Sequence, residues 1–145
     1  MTARQGNFTV EAPPKWVDRS KDFADLDEVR LALRAKSADH GTPNISVTSS
    51  SEEYTGDAAA AAQQAAEKFT QHDATVTDVP DTEIDGEHAV GNRMQRTINA
   101  RTFVQIQYFV VHDGRLYAPT GTALPDDEQA LRQAMEAVFS SWQWS

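Results

Sequence analysis

Hydrophobic and polar positions change their period several times along this chain, and each change marks an element. Phe8 and Val10 alternate in a short first strand, which Pro13-Pro14 stops. Trp16 follows in a loop with Asp18, Arg19 and Ser20. Val29, Leu31, Leu33 and Ala35 alternate with Arg30, Ala32, Arg34 and Lys36, as a half-buried strand does. Ser37 to Pro43 reads as a turn. Ile45 and Val47 mark the next strand, with Ser46 and Thr48 on its other face, and Ser49-Ser50-Ser51 opens a polar link. The pattern then becomes helical. Ala58, Ala61, Ala62, Ala65, Ala66 and Phe69 form a stripe that predicts a helix from about Asp57 to His72. Alanine gives it high helix propensity and a thin face suited to close packing on a sheet.

From Ala74 to Thr122 the pattern is that of a strand meander. Val76 and Val79 share one strand, and Asp85-Gly86 is a turn. His88 to Ile98 is extended, Asn99-Ala100 reverses the chain, and Arg101 to Val111 forms a long strand. Asp113-Gly114 is a strong hairpin signal, after which Leu116 to Thr122 returns. Pro125 and Asp126 begin a second helix, with Asp126 and Gln129 at capping-box spacing. Its buried stripe is Leu131, Ala134, Met135, Val138, Phe139 and Trp142, with Trp144 lying beyond it. The expected fold is α+β, an antiparallel sheet flanked by helices. Its buried residues should include Leu33, Val104, Ile106, Tyr108, Val110, Leu116, Val138 and Phe139.

The strand from Arg101 carries the candidate chemistry. Val104, Ile106, Tyr108 and Val110 make an ordinary core face, while Phe103, Gln105, Gln107, Phe109 and Val111 point the other way. A solvent face would not hold two phenylalanines beside Val111. A dry core would not choose two glutamines, since each buried amide needs partners. One resolution is a strand in mid-sheet, covered by a helix on each side, with the glutamines near its edge. The other is a groove filled only when a partner arrives, the partner being apolar but carrying polar groups to satisfy. Ser46 and Thr48 are possible neighbours in that groove. Gly91 and Asn92 make the preceding strand more polar than such a groove calls for.

Composition narrows the choice. At 145 residues the chain is most simply one domain, 1–145, with room for a real core. Hydrophobic residues at 39% and charged residues at 24% are ordinary globular values. There is no cysteine, which excludes disulfides, thiolate metal sites and cysteine nucleophiles. A net charge of -9 with scattered Lys and Arg argues against nucleic acid as a partner. The start has no apolar leader segment, and no stretch is long or apolar enough to span a bilayer, so a cytoplasmic protein without stable membrane insertion is expected.

Asp81, Glu83, Asp85 and Gly86 imitate the opening of a calcium loop, but Glu83 is too long for its place and Asn92 stands where the bidentate Glu belongs. His40, His72, His88 and His112 never pair at metal-ligand spacing, and His112 beside Asp113 reads as a turn residue. No nucleophile elbow, phosphate loop or dinucleotide fingerprint occurs. The expectation is a protein without catalytic residues, cofactor or metal.

Taken in order, these elements resemble a family. Phe8-Thr-Val-Glu-Ala-Pro-Pro-Lys-Trp-Val-Asp-Arg-Ser20 is similar to the "strand, Pro, x, Trp, x, Asp, x, Ser" opening of the DcrB-like proteins, which share the PsbP-like α/β/α sandwich. Glu87-His88-Ala89-Val90, the charged hairpin at Arg101, the long aromatic strand, Ala118 to Ala123 and the final helix resemble that layout over nearly the whole chain. Within the group, length resembles the effector-associated (Eag) chaperones of type VI secretion. That resemblance implies a chaperone or adaptor, acting as a homodimer, that shields the transmembrane-type helices of a secreted effector. It implies a client-binding role for Phe103, Gln105, Gln107, Phe109, Val111, Ser46 and Thr48. The alternative is a PsbP-like adaptor or envelope-protein domain with a folded protein partner, since one fold hosts many functions.

Overall fold

The computed structural model describes residues 7–39 and 42–145. Among them the chain forms β1 (Phe8–Thr9), β2 (Trp16–Asp18), β3 (Val29–Asp39), β4 (Thr42–Ser49) and α1 (Ala58–Gln71). Then come β5 (Thr75–Asp78), β6 (Thr82–Ile84), β7 (Glu87–Ile98), β8 (Arg101–His112), β9 (Arg115–Ala123), α2 (Glu128–Ser141) and β10 (Gln143–Trp144). The main sheet runs β2-β3-β4-β9-β8-β7-β5, with β6 also paired to β7, and every pairing is antiparallel.

Three hairpins organise its second half. Their turns are Asp85-Gly86, Asn99-Ala100 and Asp113-Gly114, and both residues of each pair have positive φ. Such turns match the right-handed twist of the strands they join. Ala100, at φ 65, is the unusual member, because it carries a Cβ into the left-handed region.

The core lies between the sheet and α2. Leu31, Leu33, Ile45, Val47, Val104, Ile106, Val110, Tyr117 and Ala123 meet Leu131, Ala134, Met135, Val138, Phe139 and Trp142 of the C-terminal segment. The helical stripe read from the sequence is thus buried throughout. Gly121 lets α2 sit close, since a Cβ there would come within 2.6 Å of Met135 Sδ. Phe8 stacks on Trp142 with ring centroids 4.0 Å apart, closing the end of this core.

Several expectations need correction. Trp16 to Asp18 is not loop but an edge strand, specified by its pairing with Leu33–Ala35 of β3. Strand pairing extends to Asp39↔Thr42, so Ser37 to Pro43 is mostly strand, and its residues 40–41, like His40, lie outside the described residues. β3 is not half-buried in simple alternation, because Arg30 and Ala32 are also buried and the register shifts between Val29 and Leu31. Val79 lies just past β5, and a separate strand, β6, precedes the Asp85 turn.

Asp126 forms no capping box. It sits in a 3-10 turn, Pro125–Asp127, and α2 begins without a side-chain cap. Instead Arg93 Nε and Nη2 hold the Glu128 carboxylate at 2.8 Å each, tying the first turn of α2 to β7. Tyr108 and Leu116 are half-buried, Leu116 because it faces α1 while its neighbour Tyr117 takes the core position. Trp144 is not a free end, for β10 pairs with β1, and the Trp144 indole donates to the Ile84 carbonyl at 3.0 Å.

Candidate functional site

The opposite side of the sheet is built differently. Asp57 starts α1 by accepting a hydrogen bond from the Ala60 N–H at 2.7 Å. The helix then lies over β7 and β8. Ala58, Ala61 and Ala62 bury Phe109 and Ala118, with Tyr54, Ala65, Val90 and Leu116 packed around them. Small side chains permit this close seat, and one polar clamp fixes it: Asn92 Nδ2 donates to the Ala62 carbonyl at 2.8 Å. The polarity of β7 is thereby explained. Asn92 spans to the helix, and Gly91 gives room on the other face to the Tyr108 ring, whose Cδ1 would lie 2.7 Å from an added Cβ.

The cover is partial. Later residues of the alanine stripe, Ala65, Ala66 and Phe69, are only half-buried. Beyond α1 the sheet face continues across β8, β9, β4 and β3 as two cross-strand rows. One reads Asn92, Gln107, Thr120, Ser46, Ala32, and the other Met94, Gln105, Thr122, Asn44, Arg34. Gln107 Nε2 donates to Thr120 Oγ1 at 3.0 Å, and the Thr120 hydroxyl donates to the Ala118 carbonyl at 3.3 Å. Gln105 Nε2 donates to Thr122 Oγ1 at 3.4 Å. The glutamines are therefore held side-on by the sheet itself, which explains how a strand keeps two amides in a half-buried place.

Two hollows open on this floor. One, of about 200 Å³, is lined by Phe69, Met94, Arg96, Ile98, Phe103, Gln105 and Thr122. The other, of about 350 Å³, lies under the segment from Arg19 to Leu26 and includes Phe23, Ala32, Arg34, Asn44 and Ser46. They adjoin where Thr122 pairs with Asn44. Among the described residues the large hydrophobic side chains most open to solvent are Phe23 at 39%, Leu26 at 45% and Ile98 at 42%, and all three line these hollows.

The structure places all seven residues expected to bind a client on this one side, in different surroundings. Phe103, Gln105 and Ser46 line the hollows, and Gln107 lies on the floor beside Thr120. Thr48 neighbours Ala118, and Val111 pairs with Leu116 further along the strands. Phe109 is the exception: α1 covers it, so it belongs to a small core and not to an open groove. Cross-strand parity would have supplied Asn44, Thr120 and Thr122 once the pairing was known. Phe23 and Leu26 gave no signal beyond being apolar residues in a polar stretch.

Other candidates fall outside this face. His88 Nε2 lies 2.9 Å from Asp81 Oδ2 on the surface, and the described residues contain no group of three side chains able to hold a metal ion. Glu128, hydrogen-bonded by Arg93 and then by Arg132, has its pKa lowered to about 2. Burial pushes the Tyr108 hydroxyl up. No helix among the described residues is long and apolar enough to cross a membrane.

No protein-family model matches this chain, and no curated protein matches it in sequence. Solved structures do match. LpqN of Mycobacterium tuberculosis, a protein involved in cell envelope biogenesis, superposes with a TM-score of 0.67 at 12% identity, covering 94% of this chain and 82% of LpqN. A protein of Bacteroides thetaiotaomicron gives 0.63 at 10% identity over 97% of this chain, which spans 46% of that protein. Cyanobacterial PsbP (CyanoP) of Synechocystis gives 0.63 at 14% identity, over 100% of this chain and 91% of its own. By these likenesses the chain has the PsbP-like α+β fold, an antiparallel sheet with a helix on each face.

Proposed function

We propose that this chain is a non-catalytic binding module, a chaperone or adaptor that shelters apolar, transmembrane-type helices of a secreted effector on the α1 side of its sheet. One observation carries the reading: a half-open floor of Gln, Thr, Ser and Asn side chains bordered by Phe103, Phe23, Leu26 and Ile98. Apolar borders would gain about 25 cal/mol per Å² from a helix laid against them, before the cost of association. The floor amides and hydroxyls would meet the client's own polar groups. A glutamine left unpaired beneath it would cost roughly 1–3 kcal/mol, which favours clients able to answer it. The resemblance to the effector-associated chaperones supports the same occupant. On this reading the empty protein uses its exposed apolar rim to pair as a homodimer or to take up detergent.

The test is co-expression with a candidate effector that has N-terminal apolar segments. Phe103→Ala should strongly reduce its recovery with the chaperone, and Gln107→Leu moderately, both with unchanged circular dichroism. Wild-type recovery with both variants would refute the reading. The second reading, an adaptor or envelope-protein domain with a folded partner, draws on the likeness to LpqN, a protein of envelope biogenesis. Binding that survives Phe103→Ala but is lost on mutation of the sheet's outer edges would favour it.

A further inference from the structure

Away from the open face, β3 holds a buried arginine that no carboxylate among the described residues pairs with. Arg30 is 4% exposed and sits where the β3 register shifts, between Val29 and Leu31. Its Nε donates to the buried Ser49 Oγ at 2.6 Å. A guanidinium has five N–H donors, and a charge withdrawn from water is costly without an opposite charge. Among the described residues no ion pair includes Arg30, and Ser49 is the hydrogen-bond partner its side chain has. Among the described residues the sealed side-chain atoms without a hydrogen bond are Asn7 Oδ1, Arg19 Nε and Trp142 Nε1. The terminal nitrogens of Arg30 are not among them, so they retain a trace of solvent contact.

Other groups share this side of the sheet with Ser49. Ser49 lies opposite Tyr117, and Arg115, two residues before Tyr117 on the same face of β9, lies opposite His112. The His112 ring stacks on Trp144 at 4.2 Å, and Trp144 also packs on Tyr117. Burial pushes the Tyr117 hydroxyl up, while the charges of Arg115 and Arg30 pull it down. Asp113 acts on Tyr117 in the opposite sense, but its side chain is 84% exposed and lies 3.4 Å from His112 Nε2.

We propose that Arg30, Ser49, Arg115 and Tyr117 form a site for one oxyanion, a carboxylate or phosphate group, with Arg30 as its buried fork. The planar guanidinium, already oriented through Nε by Ser49, presents its remaining edge for a bidentate contact. Arg115 closes on the anion from the rim, and the Tyr117 hydroxyl donates to it. The bound anion supplies the charge that the fold itself leaves out.

The experiment titrates the full chain with inorganic phosphate, and separately with acetate, against sodium chloride at equal ionic strength. It follows melting temperature and tryptophan fluorescence, since Trp144 borders the site. We expect a saturable rise in melting temperature and a fluorescence change with phosphate, acetate or both, absent with chloride. A response to acetate alone assigns the site to carboxylates, and one to phosphate alone to phosphate groups. Arg115→Ala should raise the dissociation constant about tenfold, the loss of one charge-assisted contact. Arg30→Lys, which keeps the charge but not the fork, should abolish saturation. If Arg30→Lys fails to fold, Arg115→Ala and Ser49→Ala decide the matter. No response beyond chloride, or an undiminished response in these variants, overturns the proposal.

Discussion

Towards α2 the sheet presents Leu31, Leu33, Ile45, Val47, Val104, Ile106 and Val110, all nearly inaccessible, against a helix stripe that is buried along its whole length. Towards α1 the same strands present Asn44, Ser46, Gln105, Gln107, Thr120 and Thr122, and only the first half of the helix stripe is buried. The first face is filled by shape, with Gly121 omitting a side chain so that Met135 and Leu131 fit. The second is held by side-chain hydrogen bonds that need no cover. One sheet can thus keep one side closed by a helix and the other half open. The division runs along the alternation of each strand, so a single strand serves both.

This contrast can be broken most severely from the closed side. Val138 is fully buried, and Val138→Asp places an unpaired charge in the core, so it should cost more than about 4 kcal/mol and unfold the protein, as lost circular dichroism would report. Phe109→Ala tests the small core beneath α1. It should cost about 3 kcal/mol, seen as a lowered denaturation midpoint, because Phe109 is buried among Ala58, Ala61 and Ala62. A near-neutral result would mean that α1 does not cover this strand.

A milder effect comes from the ion pair at the start of α2. The folded-state pKa of Glu128, about 2, lies below its ordinary 4.5, so its stabilisation is fully present above about pH 4.5 and is lost as pH falls towards 2. Glu128→Gln should cost on the order of 2 kcal/mol at neutral pH and flatten the dependence of melting temperature on pH between 5 and 2. The smallest effect is expected on the open side. Gln107→Leu removes the bond to Thr120 from a half-buried site and should change stability by less than about 1 kcal/mol. A large loss there would show that the polar floor is structural after all.

What the sequence revealed follows from the range of the forces involved. The α2 stripe is written in local period and is buried as read, and β8 alternates as read except that Tyr108 is half-buried and Phe109 is covered. The three reversing pairs were visible because positive φ favours Asn, Asp and Gly. β2 and β10 were not legible, since two or three residues become strand only through a partner far along the chain. Asp126 showed capping spacing, but Arg93 on β7 took hold of Glu128 and the helix began without that cap. For the candidate site, parity told which residues share a side. It could not tell which of them α1 covers, so Phe103 and Phe109 looked alike. The hollow under Phe23 and Leu26 depends on where a non-periodic segment folds back, which no local pattern encodes.

The strand order also has a consequence in time. β7, β8 and β9 are joined by tight hairpins, so their pairing closes short loops and comes early in folding. β4 reaches β9 only after the whole chain between them, α1 and the hairpins included, has been spanned. The floor with Ser46 beside Thr120 and Asn44 beside Thr122 exists only after that closure. A chain that has paired only its hairpins therefore displays the Phe103 strand without the complete polar floor.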